Sequence, residues 1–314
     1  MARRVVLVYH PDEAEDYARL VRVPRSRVAV HVASKPEDAA AVIREVDVLY
    51  AWKFPPHLYR DATRLSWLQA MAAGVEWALV PELPPRVTVT RAPGIFGPWM
   101  AEYVLGWALW GTQRMREYLD AQGERRWLGT TMPHRLGRRT MTIVGLGDIG
   151  RTIARAARAL DMRVLGVSRS GRRVPGVDRV WRLAGLRRAL GQADFVVLTV
   201  PLTAETRGLI DAGALAAMRP SAWLINVARG PIVDETALIR ALSEGRLGGA
   251  VLDVFSNEPL PANHPLWGMT NVVVTPHVSG PSTPDEIAPV FNDNLARYLS
   301  GRRLRHVVDR RRGY

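Results

Sequence analysis

Twice along this chain, short apolar runs alternate with helical stretches, and that alternation restricts the fold more than any other feature. Residues 5–9, 28–32, 48–52, 65–71 and 87–90 read as strands, with helical stretches at 13–21 and 36–46. A second series has strands at 140–144, 163–167, 195–200, 223–227, 250–254 and 272–275. Its helical stretches lie at 150–160, 183–190, 211–218 and 235–244. Strands alternating with helices of about 10–15 residues build parallel sheets covered on both faces. The expected fold class is α/β, with two doubly wound parallel-sheet domains.

Between the two series, residues 99–118 read as one long helix, with Ala101, Val104, Leu105, Ala108 and Leu109 at helical spacing. Trp99, Trp107 and Trp110 add bulk that suits burial within the chain or in a subunit interface. Residues 123–139 are polar and read as a connector. Residues 281–284 read as a hinge, and 285–300 as a helix that returns to the first domain and makes it discontinuous.

The 314 residues have room for about two domains of roughly 100–200 residues each. The chain contains no cysteine, which excludes disulfides, thiolate metal sites and thiol nucleophiles, and no metal is expected. It shows neither a signal-peptide pattern nor an apolar run of the ~20 residues a membrane span needs. A cytoplasmic protein with no membrane partner is expected. Its net charge is +13, and Lys35 and Lys53 are the only lysines among 43 basic residues. The arginines are spread along the chain as a compositional bias would spread them. The cluster Arg302, Arg303, Arg305, Arg310, Arg311 and Arg312 reads as a solvated tail. No nucleic-acid-binding motif accompanies the charge, so no nucleic-acid partner is expected.

The turn Gly145-x-Gly147-x-x-Gly150 follows a strand and opens a helix, the context in which it binds a dinucleotide. Gly145 permits the tight turn, Gly147 lets the backbone approach a pyrophosphate, and Gly150 lets helix and strand pack closely. The phosphates would sit on free N–H groups at the helix N-terminus. An NAD site usually places Asp or Glu at the end of the next strand. Here the residues are Ser168-Arg169-Ser170, with Arg172 close behind. A guanidinium suits a 2′-phosphate, which points to NADP(H) as preferred cofactor, with NAD(H) possible.

Three later segments each set one reactive side chain just after a strand. They are Asn226-Val227-Ala228-Arg229-Gly230, Asp253-Val254-Phe255-Ser256-Asn257-Glu258-Pro259 and Thr275-Pro276-His277-Val278-Ser279-Gly280. Imidazole ordinarily titrates near neutrality, so His277 can give a proton to a carbonyl oxygen. Glu258 can pair with it and fix its orientation. Arg229 can bind a carboxylate and polarise the carbonyl beside it. Each residue alone has a plainer structural reading; the three patterns in one order point to redox chemistry on a small anion.

Together with Val200-Pro201-Leu202-Thr203-x-x-Thr206, these motifs resemble the D-isomer-specific 2-hydroxyacid dehydrogenase family over nearly the whole chain. The resemblance implies two Rossmann-like domains, the dinucleotide-binding domain (99–281) inserted into a discontinuous substrate-binding domain (1–98 and 282–314). It implies an active site in the cleft between them and a homodimer in which the 99–118 helix takes part. Arg229, Glu258 and His277 would be catalytic, and Trp52, Ala73, Gly74 and Arg229 would bind substrate. Asp148, Ile149, Val200, Pro201, Thr206, Val227, Ala228, Asp253, His277 and Gly280 would join Gly145, Gly147, Gly150, Ser168, Arg169 and Ser170 around the cofactor.

Thr142 replaces the glycine usual in the family, and residues 94–100 differ from the common asparagine-rich version. Formate dehydrogenases of the superfamily are expected to carry Gln where this chain has Glu258. The resemblance is closest to the glyoxylate/hydroxypyruvate reductase branch and implies an NADP-preferring reductase of small 2-oxoacids to D-2-hydroxyacids. An NAD-dependent dehydrogenase for a bulkier hydroxyacid, or a nucleotide-sensing corepressor-like binding protein, are the alternatives on the same scaffold.

Overall fold

Strands in both sheets of the computed structural model, which describes residues 3–24 and 26–313, pair in parallel throughout. The chain divides into two compact units, one running to Phe96 and resuming at Ser282, the other spanning Gly97–Pro281.

The first unit carries β1 (Arg4–Tyr9), β2 (Val28–Ala33), β3 (Val48–Ala51), β4 (Trp67–Ala70) and β5 (Thr88–Thr90) in the order β2-β1-β3-β4-β5. Helices α1 (Ala14–Arg19) and α2 (Pro36–Val42) connect the first three strands. All four residues of β3 and of β4 are buried. A parallel sheet covered on both faces reads as continuous apolar runs in this way.

In the second unit, α3 (Phe96–Thr112) and α4 (Met115–Gly123) precede the sheet. The single helix expected at 99–118 is therefore two. Arg114 adopts a left-handed conformation (φ 56°), which a continuous helix cannot accommodate. The Thr112 hydroxyl donates to the Ala108 carbonyl at the last turn before the break. Then come β6 (Thr140–Val144), α5 (Asp148–Ala159), β7 (Arg163–Val167), β8 (Arg179–Trp181), α6 (Leu186–Leu190), β9 (Phe195–Leu198) and α7 (Ala212–Ala216). The series ends with β10 (Trp223–Asn226), α8 (Glu235–Ser243), β11 (Gly249–Leu252) and β12 (Val272–Val274). The sheet order is β12-β11-β10-β9-β6-β7-β8. Strand β8 is absent from the sequence expectation, because three residues at a sheet edge, one of them charged, carry no apolar run. Thr142 sits fully buried in central β6, where its hydroxyl donates to the Ala189 carbonyl at 3.1 Å. The side chain in the family's glycine position is thus packed and satisfied.

From Ser282 the chain is again part of the first unit, through α9 (Pro284–Leu299). Phe291 stacks on Tyr50 (centroids 4.0 Å apart) and on Trp67 (5.4 Å). Buried Asn294 donates to Gln69 Oε1 and to the Arg305 carbonyl, both at 3.1 Å, and accepts from the Arg305 N–H at 2.8 Å. This network satisfies a glutamine placed inside a buried strand. It also leads the C-terminal segment onto β5, where the Val308 N–H donates to the Val89 carbonyl at 2.9 Å. Arg310 donates to the carbonyls of Leu83, Pro84 and Val87 at 3.4, 3.1 and 2.6 Å. Five of the six arginines in the basic C-terminal cluster are exposed, as a solvated segment would have them, and carbonyl acceptors at the edge of the unit capture the sixth, Arg310.

Candidate active site

Strand register collects the functional segments of the second unit. Val144, Leu198, Asn226, Leu252 and Val274 stand in one row across β6, β9, β10, β11 and β12, with Val167 of β7 beside Val144. Every motif singled out in this unit leaves the sheet just beyond that row, at its carboxyl edge. The strand order reverses between β6 and β9, and in open α/β sheets ligands bind outside the strand ends at such a switch point.

Gly145 turns the chain with φ 107°, and a Cβ there would lie 2.8 Å from the Thr199 carbonyl carbon and the Val200 nitrogen. The Thr199 hydroxyl donates to the Gly145 carbonyl at 2.7 Å and locks the turn. At Gly150 a Cβ would fall 2.0 Å from the same carbonyl, so only glycine lets α5 start so close to β6. Gly147 differs: nothing lies within 4 Å of its Cβ position, which leaves open space beside the first turn of α5. Helix N-termini carry unsatisfied N–H groups and a positive partial charge. The cradle therefore fits a pyrophosphate, with Asp148 and Ile149 as its first helical residues.

After β7, Ser168 Oγ accepts from the Gly171 N–H at 3.1 Å and Ser170 Oγ accepts from the Arg172 N–H at 3.3 Å. Both serines thus act as acceptors within the turn, and their hydroxyl hydrogens can donate outward. Arg169 and Ser170 are exposed. Arg182, just past β8, donates from Nε to the Ser170 carbonyl at 3.3 Å. Its stem packs where Gly171 (φ 64°) has no side chain, for a Cβ there would meet Arg182 Cγ at 2.7 Å. Sequence reading missed Arg182 because β8 was missed; the glycine at 171 is the only local sign that something approaches this turn. Two guanidiniums and two hydroxyls, with no carboxylate among residues 168–173, fit a ribose 2′-phosphate.

Arg229 is set by its neighbours. Asn226, buried at the end of β10, donates from Nδ2 to the Arg229 carbonyl and accepts from the Ala228 N–H, both at 3.1 Å. The Arg229 guanidinium donates to the Ala228 carbonyl at 2.6 Å. A Cβ at Gly230 would lie 2.0 Å from the Phe255 carbonyl carbon. Glycine at 230 therefore lets the Arg229 turn press against the backbone of the segment that carries Glu258.

That segment begins with Asp253, whose side chain is fully buried. Its Oδ1 accepts from Thr275 Oγ1 (2.5 Å) and the Val278 N–H (2.9 Å), and its Oδ2 accepts from the Ser279 N–H (2.9 Å). Glu258 Oε1 accepts from the Phe255 N–H at 2.9 Å, which fixes the carboxylate. Its Oε2 lies 2.9 Å from His277 Nδ1. With Nδ1–H donating to Glu258, Nε2 is the nitrogen left to exchange a proton. The His277 side chain is 44% exposed and so reachable. Thr206 is buried, its hydroxyl donating to the Pro201 carbonyl at 2.6 Å, so it shapes the turn after Val200. Val227 and Ala228 are buried, and Gly280 is half-buried.

In the first unit, Trp52 follows β3 at the point where the strand order reverses, and its N–H donates to the Tyr9 carbonyl at 3.0 Å. Its ring meets Trp77 edge-on at 6.4 Å, and Lys53 Nζ lies 5.3 Å from its centroid. Ala73 and Gly74, half-buried, leave the carboxyl end of β4.

A doubly wound sheet with a glycine cradle, a cationic turn after its second strand and a Glu–His pair at its carboxyl edge defines a dinucleotide-binding redox scaffold. Residues 105–279 match the model of the D-isomer specific 2-hydroxyacid dehydrogenase, NAD binding domain. The chain belongs to the D-isomer-specific 2-hydroxyacid dehydrogenase family. It is 31% identical to glyoxylate/hydroxypyruvate reductase A of Serratia proteamaculans, over 98% of this chain and 99% of that one. A family member of solved structure from Aeromonas salmonicida superposes with a TM-score of 0.92 at 38% identity, covering 98% of this chain and 100% of that one. The NADPH-dependent glyoxylate/hydroxypyruvate reductase of Sinorhizobium meliloti, solved with NADP and sulfate, gives a TM-score of 0.89 at 32% identity, with full coverage of both chains.

Proposed function

We propose that this protein is an NADP-preferring reductase that converts small 2-oxoacids, glyoxylate and hydroxypyruvate among them, into D-2-hydroxyacids. The observation that carries the proposal is the Glu258–His277 pair, at 2.9 Å, on the carboxyl edge of the sheet that also bears the glycine cradle and the Ser168-Arg169-Ser170 turn. The reductases of Serratia and Sinorhizobium support the same reading.

The cofactor's pyrophosphate would rest on residues 145–150, and its 2′-phosphate on Ser168, Arg169, Ser170 and Arg182. Val200, Pro201, Thr206, Val227, Ala228, Asp253 and Gly280 would flank the rest of it. Bound NADPH supplies the hydride. Arg229 would hold the 2-oxoacid through charge-assisted hydrogen bonds and polarise its carbonyl. As the carbonyl carbon gains hydride, the oxygen takes the proton from His277 Nε2, and the product is the neutral hydroxyl. Glu258 keeps the ring aimed.

The same reading makes the protein a homodimer. Trp99, Met115 and Leu119, on α3 and α4, and Trp127 and Met132, in the connector that follows, are exposed, with Trp127 at 96%. Exposed apolar side chains gathered in one stretch of chain support association there.

The purified protein, assayed against a panel of 2-oxoacids with both nicotinamide cofactors, is expected to turn over glyoxylate and hydroxypyruvate. It should prefer them at least about tenfold over branched or aromatic 2-oxoacids, as a factor of ten is about 1.4 kcal/mol of discrimination. Turnover confined to bulky 2-oxoacids would contradict the substrate assignment.

A further inference from the structure

We propose that Tyr103 and Thr275 are positioning residues for His277, acting through the buried carboxylate of Asp253; the proposal rests on the reading of His277 as proton donor. His277 has φ 57°, a left-handed conformation that is uncommon for residues other than glycine. Its own N–H donates to the carbonyls of Asp253 (2.9 Å) and Thr275 (3.1 Å). The next two N–H groups, of Val278 and Ser279, are taken one by each oxygen of the Asp253 carboxylate. Asp253 is thus the template on which the backbone around the histidine is folded.

The third donor to that carboxylate is the Thr275 hydroxyl, at 2.5 Å. The Asp253 carboxylate is the acceptor in all three contacts, so Thr275 gives its single proton to Asp253. The Thr275 oxygen, 2.6 Å from the Tyr103 hydroxyl, is then the acceptor in that contact. The order of the chain is fixed: Tyr103 donates to Thr275, and Thr275 to Asp253. Burial pushes the Tyr103 hydroxyl above its ordinary pKa; the contact with Thr275 offsets part of that rise and the charge of Asp253 adds to it, so the hydroxyl stays protonated and can donate. Successive hydrogen bonds of this kind strengthen one another. Tyr103 lies on α3 and Asp253 just past β11, so the chain ties the histidine's backbone to a helix 172 residues away from Thr275 in sequence.

What depends on this chain is aim. Glu258 fixes the ring from one side at 2.9 Å, and the Asp253 template fixes the backbone that carries it. A misplacement of about 1 Å at a reacting group costs on the order of 100-fold in rate.

The test uses the full-length protein with glyoxylate and NADPH, in the variants Thr275→Val, Thr275→Ser and Tyr103→Phe. Thr275→Val keeps the shape and removes the hydroxyl. It should lower kcat about 10- to 100-fold with the NADPH KM within about twofold, and raise the solvent deuterium isotope effect on kcat above that of the wild type. Thr275→Ser, which restores the donor, should recover kcat to within about threefold, and Tyr103→Phe should lower it about 3- to 10-fold. A structural defect alone would reduce the active fraction, measured by NADPH titration, and leave the isotope effect unchanged. That result, a fully active Thr275→Val, or a Thr275→Ser as impaired as Thr275→Val would overturn the proposal. Activity of His277→Ala in the same assay separates the two readings. If that variant stays active, the proton-donor reading falls and this proposal falls with it; if it is dead while Thr275→Val is fully active, only this proposal falls.

Discussion

Replacing His277 by alanine is expected to lower kcat for glyoxylate reduction by at least about 1,000-fold, the upper part of the range for removal of a general acid. The expectation follows from the geometry. Glu258 occupies Nδ1, and the Phe255 N–H in turn holds Glu258, so Nε2 belongs to a ring held by a chain of fixed groups. Alanine removes the imidazole from this strand end. The backbone hydrogen bonds of residue 277 do not involve the ring, so the fold around Asp253 should survive. NADPH affinity, followed by nicotinamide fluorescence, should change by no more than about threefold, because no contact of the glycine cradle or the serine turn is touched. Retention of more than about a tenth of wild-type kcat would remove His277 from the mechanism.

The second large effect is on stability. Gly230→Ala puts a methyl group 2.0 Å from the Phe255 carbonyl carbon and 2.3 Å from its oxygen and from the Ser256 nitrogen. These are backbone atoms, so no side-chain rotation relieves the collision, and β10 and β11 must separate at their carboxyl ends. Overpacking of this kind costs about 3 kcal/mol or more. For a unit of this size that is a fall of roughly 6–12 °C in its thermal midpoint. Arg229 precedes the collision directly, so the KM for the oxoacid should rise as well. Gly268→Ala is the control: its Cβ position is open, and the change should stay within about 0.5 kcal/mol. Equal melting of the two variants, read by circular dichroism, would contradict the close approach of the Arg229 and Glu258 segments.

Much of this architecture is legible in the sequence because parallel strands buried on both faces leave apolar runs, as in β3, β9 and β11. The glycine cradle and the strand-end motifs stand out for a related reason: polar residues that directly follow such runs are conspicuous. What escaped reading lies in contacts between distant residues or in elements too short to have a period. Strand β8 spans three residues, and with it went Arg182. The break between α3 and α4 depends on one backbone angle at Arg114, in a stretch whose apolar spacing runs on past it. The docking of Arg310 onto three carbonyls is invisible to a charge count. Thr275 and Asn226 stand inside the motifs but have no reactive chemistry of their own. Their roles appear only once hydrogen bonds show what they hold.

The pairing of an NADP-binding turn with reduction of a small 2-oxoacid is open to direct measurement. Its most direct test is the ratio of kcat/KM for NADPH to that for NADH, with glyoxylate as substrate, in the wild type and in Arg169→Ala. A hydrogen bond between charged groups contributes about 1.5–3 kcal/mol, roughly a 10- to 100-fold effect. The wild-type ratio should be at least about 10, and the ratio in Arg169→Ala should fall near unity through loss of NADPH use with NADH use unchanged. Equal or better use of NADH by the wild type would contradict it.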